Sequence, residues 1–457
     1  MTTDSGAIRS AEWDDGAMAG TQSLPTRILV VGGGYVGMYT ALRLQRKLGR
    51  RRASITVVDP QPHMTYQPFL PEAAAGSVEP RHVVVPLRKV LRRCHIITGR
   101  VTGVEHNRRT ATVEAADGHV EDLGYDVLVM APGSIARTLP IPGLAEQGIA
   151  LKTIGEAIYL RNHVLSRLDA AGSTINPDLR RKLLTFLVVG GGYAGIEALA
   201  ELEDMARYAS RYYETIAPQD MRWVLVEATS RIMPEVSPTM GVYTVERLTK
   251  RGIEVYLDTR VTTMEGGHVV LDDGTEFDAD TVVWTAGVKA NPVLQQTDLP
   301  LDDRKRVRCE ATLQVVDCPD VFSAGDCAAV PDLSKDDPAA TCSPSAQHAV
   351  RQAKVLADNV IAHLQGRPLR RYKHSYAGSV ASLGLYRGVA EIYGIKLKGV
   401  LAWFMHRTYH VSRMPTFNRK VRILADWTGA LLFRREVVAL GQVNDPKAEF
   451  ARATSST

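Results

Sequence analysis

A nine-residue glycine turn occurs twice in this 457-residue chain. The stretch LVVGGGYVG covers residues 29–37 and LVVGGGYAG covers residues 187–195, so the copies differ only at Val36 and Ala194. Each copy begins with an apolar, β-branched run of buried-strand length and continues into a helical pattern. The repeat therefore predicts two strand–turn–helix units of the same design.

The glycine spacing gives each unit a specific chemistry. In G-x-G-x-x-G, the first glycine permits a tight turn, the second lets the backbone approach a pyrophosphate, and the third lets helix and strand pack closely. The pyrophosphate then lies at the positive N-terminus of the helix. The two sets are Gly32, Gly34 and Gly37, and Gly190, Gly192 and Gly195. Two such units predict two dinucleotide sites.

An acidic residue ends the second strand of each unit. Asp59 lies 22 residues after Gly37, and Glu227 lies 32 residues after Gly195. A carboxylate there accepts hydrogen bonds from the ribose hydroxyls of the adenosine. The longer second interval predicts extra helix turns. Glu227 favours NADH because it repels a 2′-phosphate, although Arg231 could contact that phosphate and leaves NADPH open.

Three further turns resemble those of the two-dinucleotide flavoproteins. They are VLVMAPGS with Ala131 and Gly133, TVVWTAG with Ala286 and Gly287, and ATLQVVDCPDVFSAGD with Gly325 and Asp326. In that superfamily the first two return toward the nucleotides, and the aspartate binds the ribitol chain of FAD. The resemblance implies a noncovalently bound FAD at the first glycine turn and a nicotinamide nucleotide at the second.

The same resemblance implies an α/β fold with two Rossmann-like dinucleotide-binding domains. The FAD domain is interrupted by an inserted NAD(P)H domain, and a C-terminal amphipathic helical segment follows. The expected ranges are a disordered leader at 1–24, the FAD domain at 25–150 and 291–385, the NAD(P)H domain at 151–290, and the C-terminal segment at 386–457.

The cysteines argue against two activities of this superfamily. Disulfide reductases carry a C-x4-C pair after the first turn, but residues 37–93 contain no cysteine. Sulfide:quinone oxidoreductases use a cysteine in the middle of the chain, but residues 95–308 contain none. The five cysteines are irregularly spaced, which indicates reduced thiols and predicts no metal site. Cys342 could lie near the flavin, or it could simply be a packed thiol.

The chain resembles the type II NADH:quinone oxidoreductases, which are single-subunit peripheral membrane enzymes. The matching stretches are HMTYQPFLPEAAAG (63–76), GGGYAGIE (190–197), AGD (324–326), SAQHAVRQAKVLADN (345–359) and GVLAWFMHRTYH (399–410). This resemblance implies hydride transfer from NADH to FAD, followed by two-electron transfer to a membrane quinone of an electron-transport chain, without proton pumping.

Three residues are candidates for the quinone chemistry. In the family, an A-Q-x-A-x-Q motif places a helix N-terminus at the flavin and two glutamines at the quinone site. Gln347 matches the first glutamine, whereas Arg351 takes the place of the second and Gln352 follows it. Glu197 corresponds to a glutamate credited with proton delivery. The alternatives are a helix cap for Gln347, a surface cation for Arg351 and an acid favoured by the helix dipole for Glu197.

The C-terminal sequence is basic and amphipathic. Residues 396–435 contain nine Lys and Arg among large apolar residues, with Asp426 as the only acid. We expect one helix face to contain Leu397, Leu401, Phe404, Thr408 and Val411. The pattern, with Trp403 at the headgroup boundary, predicts peripheral binding to an anionic inner leaflet on the cytoplasmic side. A homodimer contact or packing on the FAD domain is the alternative.

Other functions remain open at this stage. The basic tail could dock a ferredoxin-like carrier, which would make the chain a soluble NAD(P)H reductase. It could also be a non-enzymatic NADH-binding redox sensor. The net charge of +5 is too small to indicate nucleic acid as a partner. No run of about 18 apolar residues is present, so the sequence predicts no membrane-spanning helix.

Overall fold

The computed structural model describes residues 25–49, 52–374, 378–433, 435–440 and 447. The leader predicted for residues 1–24 lies outside the described residues, and so do Arg434 and most of the chain after residue 440. Within the described residues the structure is mixed α/β.

The strands lie mainly before residue 400. In chain order they are β1 (Thr26–Val31), β2 (Ala53–Asp59), β3 (His63–Thr65), β4 (Val84–Pro86), β5 (His95–Glu105), β6 (Thr110–Ala115), β7 (Val120–Gly124), β8 (Val127–Met130), β9 (Ser134–Ala136), β10 (Gly148–Ala150), β11 (Thr185–Val189), β12 (Arg222–Val226), β13 (Ile253–Tyr256), β14 (Val261–Thr263), β15 (His268–Leu271), β16 (Glu276–Asp278), β17 (Thr281–Trp284), β18 (Val288–Ala290), β19 (Val307–Arg308), β20 (Gln314–Val315), β21 (Cys318–Ser323), β22 (Ala328–Ala329), β23 (Gly378–Ser382), β24 (Gly388–Ile392) and β25 (Ile395–Lys398).

Two of the α-helices directly follow the glycine turns, and two others are the last elements that the structure describes. They are α1 (Tyr35–Lys47), α2 (Leu70–Ala74), α3 (Pro80–Val83), α4 (Leu87–Val90), α5 (Leu144–Gln147), α6 (Ile154–Ser173), α7 (Pro177–Leu183), α8 (Tyr193–Ala209), α9 (Pro238–Thr249), α10 (Ala346–Leu364), α11 (Val400–Arg413) and α12 (Phe417–Phe433).

The first sheet unites two distant parts of the chain. Its strand order is β20-β21-β8-β1-β2-β5-β6-β7. β1 runs parallel to β2 and β8, and β21 returns to pair in parallel with β8. The apolar run of β1 is buried because helices cover the sheet. Because β1, β8 and β21 run parallel and end at the same edge of the sheet, the first glycine turn lies beside the turns that follow β8 and β21.

The second sheet is five-stranded, in the order β10-β17-β11-β12-β13, and all its pairings are parallel. It contains the second glycine turn between β11 and α8. Its first strand is β10, which begins at Gly148, just before the boundary predicted at residue 151. The structure thus contains the two Rossmann-like units that the repeat predicts.

The extra residues of the second unit are only partly helical. α8 is 17 residues long and α1 is 13, so the helix accounts for four of the ten additional residues. A 3₁₀ turn at Ser210–Tyr212 and another at Pro218–Asp220 occupy part of the remaining stretch. The longer α-helix and the two 3₁₀ turns thus bear out the prediction of extra helix turns in part.

The C-terminal part differs from the single helical stripe that the sequence predicted. Leu397 lies in strand β25, which pairs with β24, so it cannot share a helix face with Leu401. Val411 is buried, whereas Leu401 and Phe404 are exposed on α11. Trp403 is half-buried and packs against Tyr386. Among the described residues, no helix is long and apolar enough to span a membrane.

Candidate functional site

The first glycine turn forms an open cradle. Gly32 adopts a φ of +96°, which L side chains rarely adopt. A Cβ atom on Gly37 would lie 1.7 Å from the carbonyl oxygen of Gly32, so only glycine lets α1 pack this closely. A Cβ on Gly34 would meet no atom within 4 Å, because it would point into the cleft. The cleft therefore leaves room for a pyrophosphate above the helix N-terminus.

The walls of this cleft come from both parts of the first sheet. They include the turn after β8, the turn after β21 and the start of α10. The lining residues are Gly32, Gly34, Tyr35, Val36, Asp59, Gln67, Ala131, Pro132, Gly133, Ser134, Lys152, Ala324, Gly325, Asp326, Ala346 and Ala349. The structure thus brings together Asp59, the APG turn and Asp326, which the sequence singled out separately.

Asp59 and Asp326 are already held by protein donors. The Gly33 and Gln61 amides donate to Asp59 at 2.6 and 2.7 Å, and burial raises the pKa of this carboxyl. Ser134 donates its hydroxyl to Asp326 at 2.6 Å. The Lys152 ammonium donates to the Ser134 hydroxyl at 2.5 Å, and burial lowers the pKa of this lysine. Lys152 was not a candidate in the sequence, because no motif marks it.

The second glycine turn repeats the geometry of the first. Gly190 has a φ of +111°, a Cβ on Gly195 would lie 1.9 Å from the Gly190 carbonyl oxygen, and Gly192 faces open space. Ala286 and Gly287 follow β17 at the neighbouring strand end, and Gly287 has a φ of +89°. This turn therefore provides a second cradle for a dinucleotide.

Glu227 forms hydrogen bonds to the second glycine turn and to Thr229, which follows it in the chain. Its carboxylate accepts the Gly191 amide at 2.6 Å and both the amide and the hydroxyl of Thr229 at 2.8 and 2.7 Å. Arg231 is partly buried, and its guanidinium donates to the Val236 carbonyl. The arginine that could have contacted a 2′-phosphate is thus engaged with the backbone.

Gln347 and Arg351 lie next to each other on α10. The Gln347 amide donates to the Gly378 carbonyl of β23 at 3.2 Å, and Arg351 donates to the Gln347 side-chain oxygen at 3.2 Å. Arg351 also contacts His374 at 2.9 Å. Gln352 is buried and accepts the Gly325 amide at 2.7 Å, so it fixes the turn beside Asp326. Gln352 therefore holds in place the turn after β21, which lines the first cleft.

Glu197 is buried in α8 and is joined to two C-terminal elements. It accepts the Ser382 amide of β23 at 2.9 Å, and its carboxylate forms an ion pair with His406 of α11 at 2.9 Å. β23 thus carries the contact of Gln347 at one end and that of Glu197 at the other. The structure brings these two candidates to the same small sheet.

A polar cluster, which we call the buried acid cluster, extends from Glu197. It contains Glu72, Glu197, Glu201, His406, Arg407 and Arg435, and each side chain is at most one-tenth exposed. Arg407 pairs with Glu72 at 3.6 Å, and Arg435 pairs with Glu201 at 3.3 Å. Burial of so many charges is costly unless they are paired. Two of the cations predicted for a membrane surface, Arg407 and Arg435, are therefore internal partners of carboxylates.

His406 and His410 were missed as functional candidates. Burial lowers the pKa of His406, but the charge of Glu197 and its close contact outweigh this effect, so the pKa is raised. Burial and the neighbouring His406 lower the pKa of His410 well below its usual range. The His410 ring contacts the Tyr66 hydroxyl at 3.2 Å. Their spacing of four residues places both on one helix face, and this signal is present in the sequence.

Cys342 is a packed thiol within the described residues. It is buried, it contacts the Pro331 carbonyl, and burial raises its pKa to about 11. The other four cysteines are also free. No group of three or more potential metal ligands occurs in the part of the chain that the structure describes.

Comparisons with known proteins give a consistent result. Residues 26–353 match the pyridine nucleotide-disulphide oxidoreductase family. The chain is 30% identical to the type II NADH:quinone oxidoreductase Ndh of Mycobacterium tuberculosis, over 90% of this chain and 89% of that protein. It is 27% identical to the type II NADH:quinone oxidoreductase of Staphylococcus saprophyticus, over 83% and 93%. The NDH2 structure from Plasmodium falciparum in complex with NADH superposes with a TM-score of 0.82 at 17% identity, over 90% and 99%.

Proposed function

The chain belongs to the type II NADH:quinone oxidoreductases of the pyridine nucleotide-disulphide oxidoreductase family, and we propose that the Glu197–His406 pair supplies protons to its quinone. It is an enzyme that transfers hydride from NADH to FAD and then two electrons to a quinone. A bound FAD supplies the two-electron redox centre between donor and acceptor. The observation that supports our proposal is the buried ion pair between α8 and α11.

Each of the two glycine turns fits one of the two dinucleotides. Gly32, Gly34 and Gly37, with Asp59 and Asp326, fit an FAD, because the Gly34 side of the turn opens into a cleft that Asp59 and Asp326 also line. The second turn with Glu227 fits NADH. Its carboxylate lies where the ribose hydroxyls of an adenosine are bound in such units.

Quinone reduction needs two protons as well as two electrons. A carboxylate paired with a histidine can hold a proton at His406 Nε2 and release it toward an acceptor. The raised pKa of His406 keeps a larger fraction protonated near neutral pH than a free imidazole would have. In this proposal Gln347 and Arg351, whose side chains contact each other near the other end of β23, orient a carbonyl or hydroxyl of the quinone ring.

We propose that the enzyme binds a membrane peripherally through α11 and α12, on the cytoplasmic side. The support is a row of exposed apolar residues on these helices. The largest exposures are those of Leu401, Phe404, Phe417, Leu431, Leu432 and Phe433. Several large apolar side chains exposed on two neighbouring helices are typical of a protein or lipid contact. A lipid contact would also give a lipid-soluble quinone a short route to α11.

The decisive experiment measures reduction and reoxidation separately. NADH should bleach the flavin absorbance of the purified protein, and a water-soluble quinone should restore it over many turnovers. A soluble carrier reductase would instead reduce a ferredoxin-like protein in a salt-sensitive way and show little quinone turnover. A redox sensor would bind NADH tightly with negligible turnover to any acceptor. Either of those results would overturn the quinone assignment.

A further inference from the structure

A strongly basic pocket lies beside the start of α12 and is not used by the chemistry described above. The pocket has a volume of about 540 Å³ and is lined by α1, α4 and the loop that joins α11 to α12. Four cations surround it: Arg46, Lys89, Arg92 and Arg93. No acidic residue contributes to its lining. We call this site the basic pocket.

The cations of the basic pocket are not neutralised by the protein. None of the four forms an ion pair with a carboxylate among the described residues, although the nearby Arg43 and Lys47 both pair with Asp358. Four like charges around one cavity repel each other. Such an arrangement is stabilised when an anion occupies the cavity.

The wall of the basic pocket is fixed by a buried amide. Gln45 of α1 donates to the Val90 carbonyl at 2.9 Å and accepts the Arg93 amide at 3.1 Å. This side chain is almost fully buried, so the loop carrying Arg92 and Arg93 is anchored to α1. The four cations are exposed, but the backbone that carries Arg93 is held in place against α1.

α12 adds two features to the same place. Pro415 and Thr416 line the pocket, so the positive N-terminal end of this 17-residue helix lies at its edge. The next residue, Phe417, is 81% exposed. It begins an apolar stripe of Phe417, Val421, Leu424 and Leu431, which are spaced to share one helix face. The basic pocket thus lies at the end of an exposed apolar stripe.

We propose that the basic pocket binds the phosphate of an anionic phospholipid headgroup, with the apolar stripe in contact with the acyl region. The proposal rests on the peripheral membrane binding put forward above. An anionic phospholipid satisfies both the cations and the apolar stripe. Its phosphate pairs with the cations, and its acyl chains cover Phe417 and Val421. A free phosphate would satisfy only the first.

The test uses vesicle binding by the FAD-loaded enzyme. The vesicles contain either phosphatidylcholine alone or an equal mixture with phosphatidylglycerol. The pocket variant is Arg46→Gln with Lys89→Gln, because the side chain of neither residue forms a hydrogen bond or ion pair within the part of the chain that the structure describes, so the fold should be retained. The matched control, Arg413→Gln with Arg422→Gln, removes the same charge from α11 and α12 outside the pocket.

The expected result is specific to the lipid and to the pocket. Each cation near an anionic leaflet contributes roughly fivefold in affinity, so loss of two general surface cations can weaken binding to the mixed vesicles by up to about 30-fold. The pocket variant also loses direct contacts to the phosphate, so it should bind these vesicles more weakly than that. The control variant should lose clearly less. Binding to pure phosphatidylcholine should be the same in all three proteins, since it depends on the apolar stripe.

Three outcomes would overturn the proposal. Equal losses in the pocket and control variants would mean that only the general basic charge matters. Saturation of the pocket by millimolar inorganic phosphate, with no effect of phosphatidylglycerol, would identify a free anion as the ligand. Absence of binding to any vesicle would instead contradict the peripheral membrane binding itself, and quinone turnover in solution would show that the catalytic assignment survives.

Discussion

At the residue scale, the acidic residues of α8 differ in their burial and in the side chains with which they pair. α8 carries four acidic residues, and Glu197, Glu201 and Glu203 are buried. A run such as EALAELED ordinarily indicates a solvated helix face. Here Glu203 pairs with Arg207 and Arg251, whereas Glu197 pairs with a histidine that can titrate. Glu197 is therefore the buried acid of α8 that is best suited to move a proton.

Replacing Glu197 with Gln should slow quinone reduction more than flavin reduction. Loss of a positioned proton donor typically costs about 10²-fold or more. Stopped-flow measurements can separate bleaching by NADH from reoxidation by quinone. Glu201→Gln is the matched control, because Glu201 lies one turn further in the same cluster and does not contact His406. A parallel slowing of both half-reactions, or the same loss in Glu201→Gln, would indicate a structural role.

The His406–Glu197 pair should also make stability depend on pH. The folded-state pKa of His406 is raised, so its contribution is fully present below the unfolded value of about 6.5 and is lost as pH rises through the folded pKa. Chemical denaturation of the parent and of His406→Gln should show a larger stability difference at pH 6 than at pH 9. A difference that is constant with pH would contradict the raised pKa.

Glu227 should set the preference for NADH. Hydrogen bonds from two ribose hydroxyls to a carboxylate are each worth roughly 1.5–3 kcal/mol, so the kcat/KM ratio should favour NADH over NADPH by about tenfold or more. Glu227→Gln should narrow the ratio, mainly by relieving repulsion of NADPH, while flavin content stays the same. Arg231→Gln is the matched control and should leave the ratio unchanged, because Arg231 donates to the Val236 carbonyl. Equal use of both donors by the parent would contradict this interpretation of Glu227.

At the element scale, the sequence predicted the glycine turns well and the tail poorly. Both turns have local causes, since a positive φ and a helix packed against a carbonyl can be satisfied only by glycine at those positions. The tail depends on tertiary partners. Leu397 joins a strand because β24 offers a pairing edge, and Arg407 turns inward between Trp403 and Trp427 to reach Glu72. Amphipathic spacing alone could not distinguish these outcomes.

The exposed stripe on α12 should carry binding to neutral membranes. Phe417→Gln with Leu424→Gln should weaken binding to phosphatidylcholine vesicles by about tenfold, because full burial of each side chain is worth roughly 1.5–3 kcal/mol and an interface buries only part of it. Ile175→Gln with Val242→Gln is the matched control, since both residues are exposed apolar positions on other elements. Equal loss in both double variants would assign the effect to general hydrophobicity.

At the scale of the whole molecule, the fold is an FAD domain interrupted by a second domain. The sequence implied this architecture through its resemblance to the two-dinucleotide flavoproteins, which rests on the order of the five glycine turns. It could not predict the buried acid cluster, whose members come from α2, α8, α11 and the segment after α12. Contacts between such distant segments have no local signature. Through these pairs the C-terminal segment contacts α2 as well as α8, the helix of the second glycine turn.

Removal of FAD should lower the free energy of unfolding of the whole molecule. The first cleft joins the turn after β1 to those after β8 and β21, and an inserted domain separates these strands in sequence. FAD at about 100 times its Kd should add about 2.7 kcal/mol to stability. Thermal unfolding of the FAD-depleted protein should show a lower midpoint that FAD restores. NADH, whose cradle lies in the second sheet, should raise the midpoint only by its own binding and should leave the effect of added FAD undiminished. An unchanged midpoint after complete FAD removal would mean that packing of β8 on β21 suffices to join the two parts.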